Sequence, residues 1–154
     1  MGIISVSVIP AMSNIRSMRE GAARDDLMRM IEVTKGRAVA SGVPHGMRID
    51  LSDSSLTIIE IDDLGEVQVE FDPLTGGDRT INLAAVYPGV NIASMINGDG
   101  AGGSGTIWFD YESSPHTRDG TGSFTSLNTQ AASVTLSSGE RVVVHPHSGT
   151  LEVQ

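Results

Sequence analysis

The sequence predicts an α+β protein, one long N-terminal helix followed only by antiparallel β structure. Three observations carry this. Residues 11–41 place apolar side chains at helical spacing with charges opposite them. After Gly42 the hydrophobic period drops from 3.6 to 2. Glycine makes up 18 of 154 residues and falls mostly after Gly65, where it punctuates short apolar runs. A chain of 154 residues suits one domain with a core of its own.

Residues 2–10, GIISVSVIP, carry no charge. They are too short to span a bilayer, which takes about 20 helical residues. No basic region precedes them and no small-residue cleavage site follows, so they are not a signal peptide. They suit a short buried strand or the last part of a membrane helix equally well. From Ala11 to Ser41 the pattern is helical. Leu27, Met30, Ile31, Thr34 and Ala38 share one face, with Asp25, Arg29, Glu32 and Lys35 opposite. Glu20 with Arg24, Asp25 with Arg29 and Glu32 with Lys35 stand at ion-pair spacing. Gly42 and Pro44 stop the helix. A helix of this length is roughly 45 Å, longer than the domain, so part should protrude. Ile15, Met18 and Ala22 lie roughly 130° round from the Leu27–Ala38 stripe, with the break near Gly21. The C-terminal half should therefore dock on its own sheet, and the N-terminal half should pack in an assembly.

Beyond Gly42, residues 47–51, 56–61 and 67–71 read as a three-stranded meander with turns at 52–55 and 62–65. Residues 72–78 read as loop. Further strands are expected over 80–86, 91–96, 106–111, 133–136, 141–145 and 150–153. Residues 97–105 form a glycine loop and 113–122 another long loop.

Composition excludes several function classes. There is no cysteine, so disulfides, thiolate nucleophiles and Cys-based metal sites are absent. A net charge of −9 opposes general binding to nucleic acid or anionic membranes. Gly98 to Gly103 matches G-x-G-x-x-G, but a strand follows where dinucleotide chemistry needs a helix N-terminus. Ser104 stands where a phosphate-binding loop needs lysine. Asp50, Asp53, Asp62, Asp63, Asn97, Asp99 and Ser104 offer oxygens without the spacing of a calcium loop and read as solvated turn residues. His145 and His147 would share one side of an extended segment, but no third ligand can be named. Asp110 and Glu112 would share a solvent-facing strand side. No catalytic triad, carboxylate pair or nucleophile elbow is present, so no enzyme activity, catalytic residue, metal, cofactor or small-molecule ligand is expected.

Taken together, GIISVSVIP at 2–10, the helix ending RAVASG at 37–42, IWFD at 107–110, GTG at 120–122, VTL at 134–136, RVVVH at 141–145 and SGTL at 148–151 resemble the type IV pilin-like proteins. Within them the chain is most similar to the H-type minor pseudopilins of type II secretion. The family's processing site and first membrane residues are not present, and Met1 looks like an added start.

The resemblance implies a division into a helix over 1–41, with 1–10 the remnant of a membrane segment, and a periplasmic β domain over 42–154. It implies a structural subunit processed by a prepilin peptidase. Such a subunit is held in the bacterial inner membrane by a single N-terminal helix. It assembles with other pseudopilins or pilins to support protein export. The expected assembly surface is Ile3, Ile4, Val6, Val8, Ile9, Pro10, Ile15, Met18 and Ala22. The alternative is a minor type IV pilin of a pilus or DNA-uptake machine. Against nucleic acid as a partner, residues 131–154 hold one basic side chain that is not histidine, Arg141.

Overall fold

Among the described residues, helix α1 (Val8–Ser41) leads into twelve strands and one further helical turn. The computed structural model describes residues 8–119, 121–124 and 129–154, with the side chains of 8–12 excepted. The strands are β1 (His45–Asp50), β2 (Ser55–Ile61), β3 (Val67–Val69), β4 (Phe71–Asp72), β5 (Gly77–Asp78) and β6 (Thr80–Asn82). The turn α2 (Leu83–Val86) follows, then β7 (Ile92–Ile96), β8 (Gly105–Phe109), β9 (Pro115–His116), β10 (Ala132–Leu136), β11 (Arg141–Val144) and β12 (Leu151–Val153). All pairing is antiparallel. One sheet runs β3-β2-β1-β8-β9, with β6 also on β2, and a second runs β12-β11-β10-β7. The expected α+β architecture, one long helix packed on antiparallel sheets, is what forms.

The helix lies across β1, β2 and β8. Leu27, Ile31, Thr34 and Ala38 are fully buried and Met30 nearly so, as the 3.6 period requires. They meet Met47 and Ile49 of β1, Leu56 and Ile58 of β2, and Ile107 and Phe109 of β8. In the second sheet the alternate residues Val134 and Leu136 of β10 and Val142 and Val144 of β11, with Ile92 and Met95 of β7 on either side of its register shift, close the same core. Gly42, at φ +73°, ends the helix with its N–H on the Ala38 carbonyl, as a C′ glycine does. On the far side of the first sheet the Trp108 indole crosses Gly46. A Cβ at that glycine would sit 2.9 Å from the ring, so only glycine admits the indole.

Several expectations are corrected. The helix starts earlier than residue 11, at Val8. The strand expected over 67–71 breaks at Glu70, which is buried with Oε1 3.1 Å from Arg37 Nε and 3.7 Å from Arg79 Nη1. Turning that carboxylate inward leaves Phe71–Asp72 to pair with Gly77–Asp78, so the expected loop is a small hairpin. The strand expected over 80–86 ends at Asn82, whose Oδ1 accepts from Ala85 N at 2.8 Å and caps the turn α2. The 113–122 loop contributes the short edge strand β9, on β8.

Candidate assembly surface

Helix α1 changes its surroundings part-way along. Arg16, Glu20 and Ala23 continue the docked stripe upward, each within about 40° of Leu27 on the helical wheel. Ala23 is buried, but positions 20 and 16 are charged and pair with each other, Arg16 Nε to Glu20 Oε1 at 2.9 Å. A stripe that turns ionic cannot enter an apolar core without a large desolvation cost, so docking stops at Ala23. The apolar residues of this half lie elsewhere. Ile15 is 50% exposed and Met18 74%. Ala22 is also exposed. These three expected site residues come together on one solvent-facing side. Val8, Ile9 and Pro10 belong to the first turn of the described helix, where proline's missing N–H removes no hydrogen bond. Ile3, Ile4 and Val6 lie outside the described residues.

Sequence reasoning missed the continuation of this side. Arg29 and Val33 follow Ile15, Met18 and Ala22 at spacings of three, four, seven and four, which keep one helical face. Val33, Arg29 and Met30 line a groove of about 390 Å³ with Leu74 and Arg79. Leu74, at the tip of the β4–β5 hairpin, is 93% exposed. The helix spacing could have shown the face; the hairpin could not have been read locally.

The ion pairs differ from those expected at two of three places. Lys35 does meet Glu32, at 3.1 Å, but it is largely covered rather than on the open side. Glu20 takes Arg16 instead of Arg24, and Arg29 takes Asp26 at 2.8 Å instead of Asp25. Arg24 bridges Asp25 at 2.8 Å and Glu140 at 3.1 Å, tying the helix to the β10–β11 turn. The Asp25 hydrogen bond, partly opposed by burial, raises the Arg24 pKa further above its ordinary value. Tyr87 donates its hydroxyl to Asp26 Oδ2 at 2.5 Å. Partial burial pushes Asp26 up, but the hydrogen bonds from Tyr87 and Arg29 outweigh it and hold the carboxyl below its usual value. The same bond raises Tyr87. Nearer the N-terminus than this lock, Arg24 holds Glu140 and Arg19 reaches back, Nη1 to the Pro88 carbonyl at 3.4 Å.

The other candidate groups have structural occupations. Asp50, Asp53, Asp62, Asp72, Asp99, Asp110 and Asp119 each accept from the backbone N–H two residues on. Asp110 is thus a turn residue and shares no strand face with Glu112; its other oxygen receives His116 Nε2 at 2.8 Å. His145 and His147 do not share an extended segment. Residues 145–149 turn back, Gly149 N to His145 O at 3.0 Å, with His147 at φ +66°. His145 Nε2 meets Glu152 at 2.7 Å. Gly98 to Gly103 is a turn leading to β8, with no helix after it. Arg118 lies 5.8 Å from the Trp108 ring centroid and 5.9 Å from that of Phe124, a stacking no local pattern announced. Among the described residues no group of three or more His, Cys, Asp or Glu could hold a metal, and no helix is long and apolar enough to cross a membrane.

No family model matches the chain, and no curated protein sequence matches it. Solved structures do. A structure of the minor pseudopilin EpsH from the type 2 secretion system of Vibrio cholerae superposes with a TM-score of 0.57 at 16% identity, over 88% of this chain and 94% of that one. A crystal structure of EpsH from the same organism gives 0.58 at 15% identity, over 91% and 97%. The chain has the pilin-like fold of a minor pseudopilin. Both matches take in nearly the whole length, so helix and β domain are similar as one unit.

Proposed function

We propose that this chain is a structural subunit of a type II secretion pseudopilus, with no catalytic role. It assembles with other pilin-like subunits through the exposed side of α1. The β domain lies in the periplasm, and the full-length protein is anchored in the inner membrane by its N-terminal helix. The observation that carries the reading is the two-faced helix. Its 34 residues reach roughly 50 Å at 1.5 Å each, and its N-terminal half presents Ile15, Met18 and Ala22 away from the domain. An amphipathic helix with an open apolar side takes another helix by i, i+3, i+4 anchors. The fold likeness to EpsH makes the pseudopilus the favoured assembly over a DNA-uptake pilus. Charge supports the same choice: Arg16, Arg24 and Arg29 are neutralised by carboxylates, leaving little local field for phosphates.

Cysteine-free sequence makes the test direct. In the full-length protein, Met18→Cys should crosslink to partner subunits in the inner membrane, and Leu27→Cys should not. A soluble, monomeric full-length protein would overturn the proposal. So would saturable duplex binding at about 150 mM salt, where phosphate contacts are already weakened.

A further inference from the structure

We propose that Asn97 is a site of spontaneous modification, closing to a succinimide with Gly98 and opening to aspartate or isoaspartate. Asn97 is followed by glycine, and no other asparagine in the chain is. Gly98 therefore brings no side chain to crowd its own nitrogen. The fold already places the reacting groups together: the Gly98 N–H donates to Asn97 Oδ1 at 2.9 Å, holding the nucleophile against the side-chain amide. The turn is fixed in that shape by Asn97 N to Ala101 O at 2.7 Å and Gly100 N to Asn97 O at 2.8 Å. The same bonds make Asp99-Gly100 the poorer candidate, because the Gly100 nitrogen is committed to the Asn97 carbonyl rather than to Asp99. Water reaches the Asn97 side of the turn, which lines an open groove of about 300 Å³ with Arg48, Trp108 and Arg118, while Gly98 itself is buried.

The chemistry balances with water alone. Hydroxide removes the Gly98 amide proton, and the nitrogen attacks Asn97 Cγ. Water protonates the side-chain nitrogen, which leaves the tetrahedral centre as ammonia, closing the imide and returning hydroxide. Water then opens either carbonyl, giving aspartate or isoaspartate. The product adds a negative charge to the groove that Arg48 and Arg118 also line. The isoaspartyl form also inserts a backbone carbon into the turn that follows β7, next to the Ile96–Gly102 bridge. Ageing at this position therefore loosens the end of one strand of the second sheet.

The full chain is incubated folded, and in parallel in urea, at pH 6 to 8. Intact mass and peptide mapping read amide-to-acid conversion. The expected result is conversion at Asn97 in the folded protein at least as fast as in urea, rising with pH as hydroxide does. Asn97→Gln should abolish it, and Gly98→Ala should slow it many-fold by crowding the nitrogen. Conversion in urea without conversion in the folded chain would show that the turn protects Asn97, overturning the proposal. Conversion at another asparagine first would do the same.

Discussion

The two halves of α1 are built from similar residues and do opposite things. Between Ala23 and Ala38 the helix turns its apolar stripe inward, and Leu27 and Ile31 have no exposed surface. Between Ser13 and Ala22 the positions in line with that stripe are Arg16 and Glu20, while Ile15 and Met18 face solvent. What differs is the angle at which the apolar residues fall relative to the sheet. The docked half holds this domain together; the open half remains available to a partner.

The largest effect should come from the docked half. Leu27→Ala or Ile31→Ala should cost roughly 2–5 kcal/mol, lost contacts plus a cavity in a core closed by both sheets. Shifts in the urea midpoint read this. The same truncation at Ile15 or Met18 should be nearly silent in the isolated protein, and equal losses in both halves would break the comparison.

The next effect sits at the boundary. Tyr87→Phe should cost about 1 kcal/mol, the net worth of one hydrogen bond. This bond also carries a pH signature. Asp26 is held low in the folded state. Its contribution is present above the ordinary aspartate value of about 3.9 and is lost as pH falls through the lower folded value. Tyr87 is held high. Its contribution is present below the ordinary value of about 10 and is lost as pH rises through the higher folded one. The Tyr87→Phe penalty should therefore be greatest between those limits and shrink on both sides, as measured by urea midpoints across pH. A penalty flat from acid to alkali would remove Asp26 as the partner.

The smallest stability effect separates fold from assembly most sharply. Met18→Asp adds an exposed charge and should change folding stability by less than about 0.5 kcal/mol. In the full-length protein it should abolish the crosslinking proposed for this helix face. A variant that loses stability but still crosslinks would invert the roles assigned to the two halves.

Much of the fold was legible because its signals are local. A 3.6 period marked the docked stripe, and Leu27, Met30, Ile31, Thr34 and Ala38 are the residues buried. The angular offset of Ile15, Met18 and Ala22 marked the open side, and all three are exposed. Turn aspartates were readable because each bonds a backbone N–H only two residues on. The errors arose where a long-range partner outvoted a local pattern. Glu70 sits in a run that alternates like a strand, yet Arg37 and Arg79 draw its carboxylate inward and end the strand. Arg24 was read against neighbours on its own helix, while Glu140, 116 residues away, takes one of its nitrogens.

By itself, then, the sequence determined that a long helix precedes a β domain, where that helix stops and at which turn its two faces part. Periodicity, capping and short-range hydrogen bonding are properties of neighbouring residues, so the order of side chains suffices to express them. Only the tertiary structure decided the strand order, the Tyr87–Asp26 lock, the stacking of Arg118 on Trp108 and the hairpin that lifts Leu74 beside the helix. Each of these joins segments far apart in the chain. Which segments meet is chosen by how two sheets and a helix close one core, and no short stretch of sequence contains that choice.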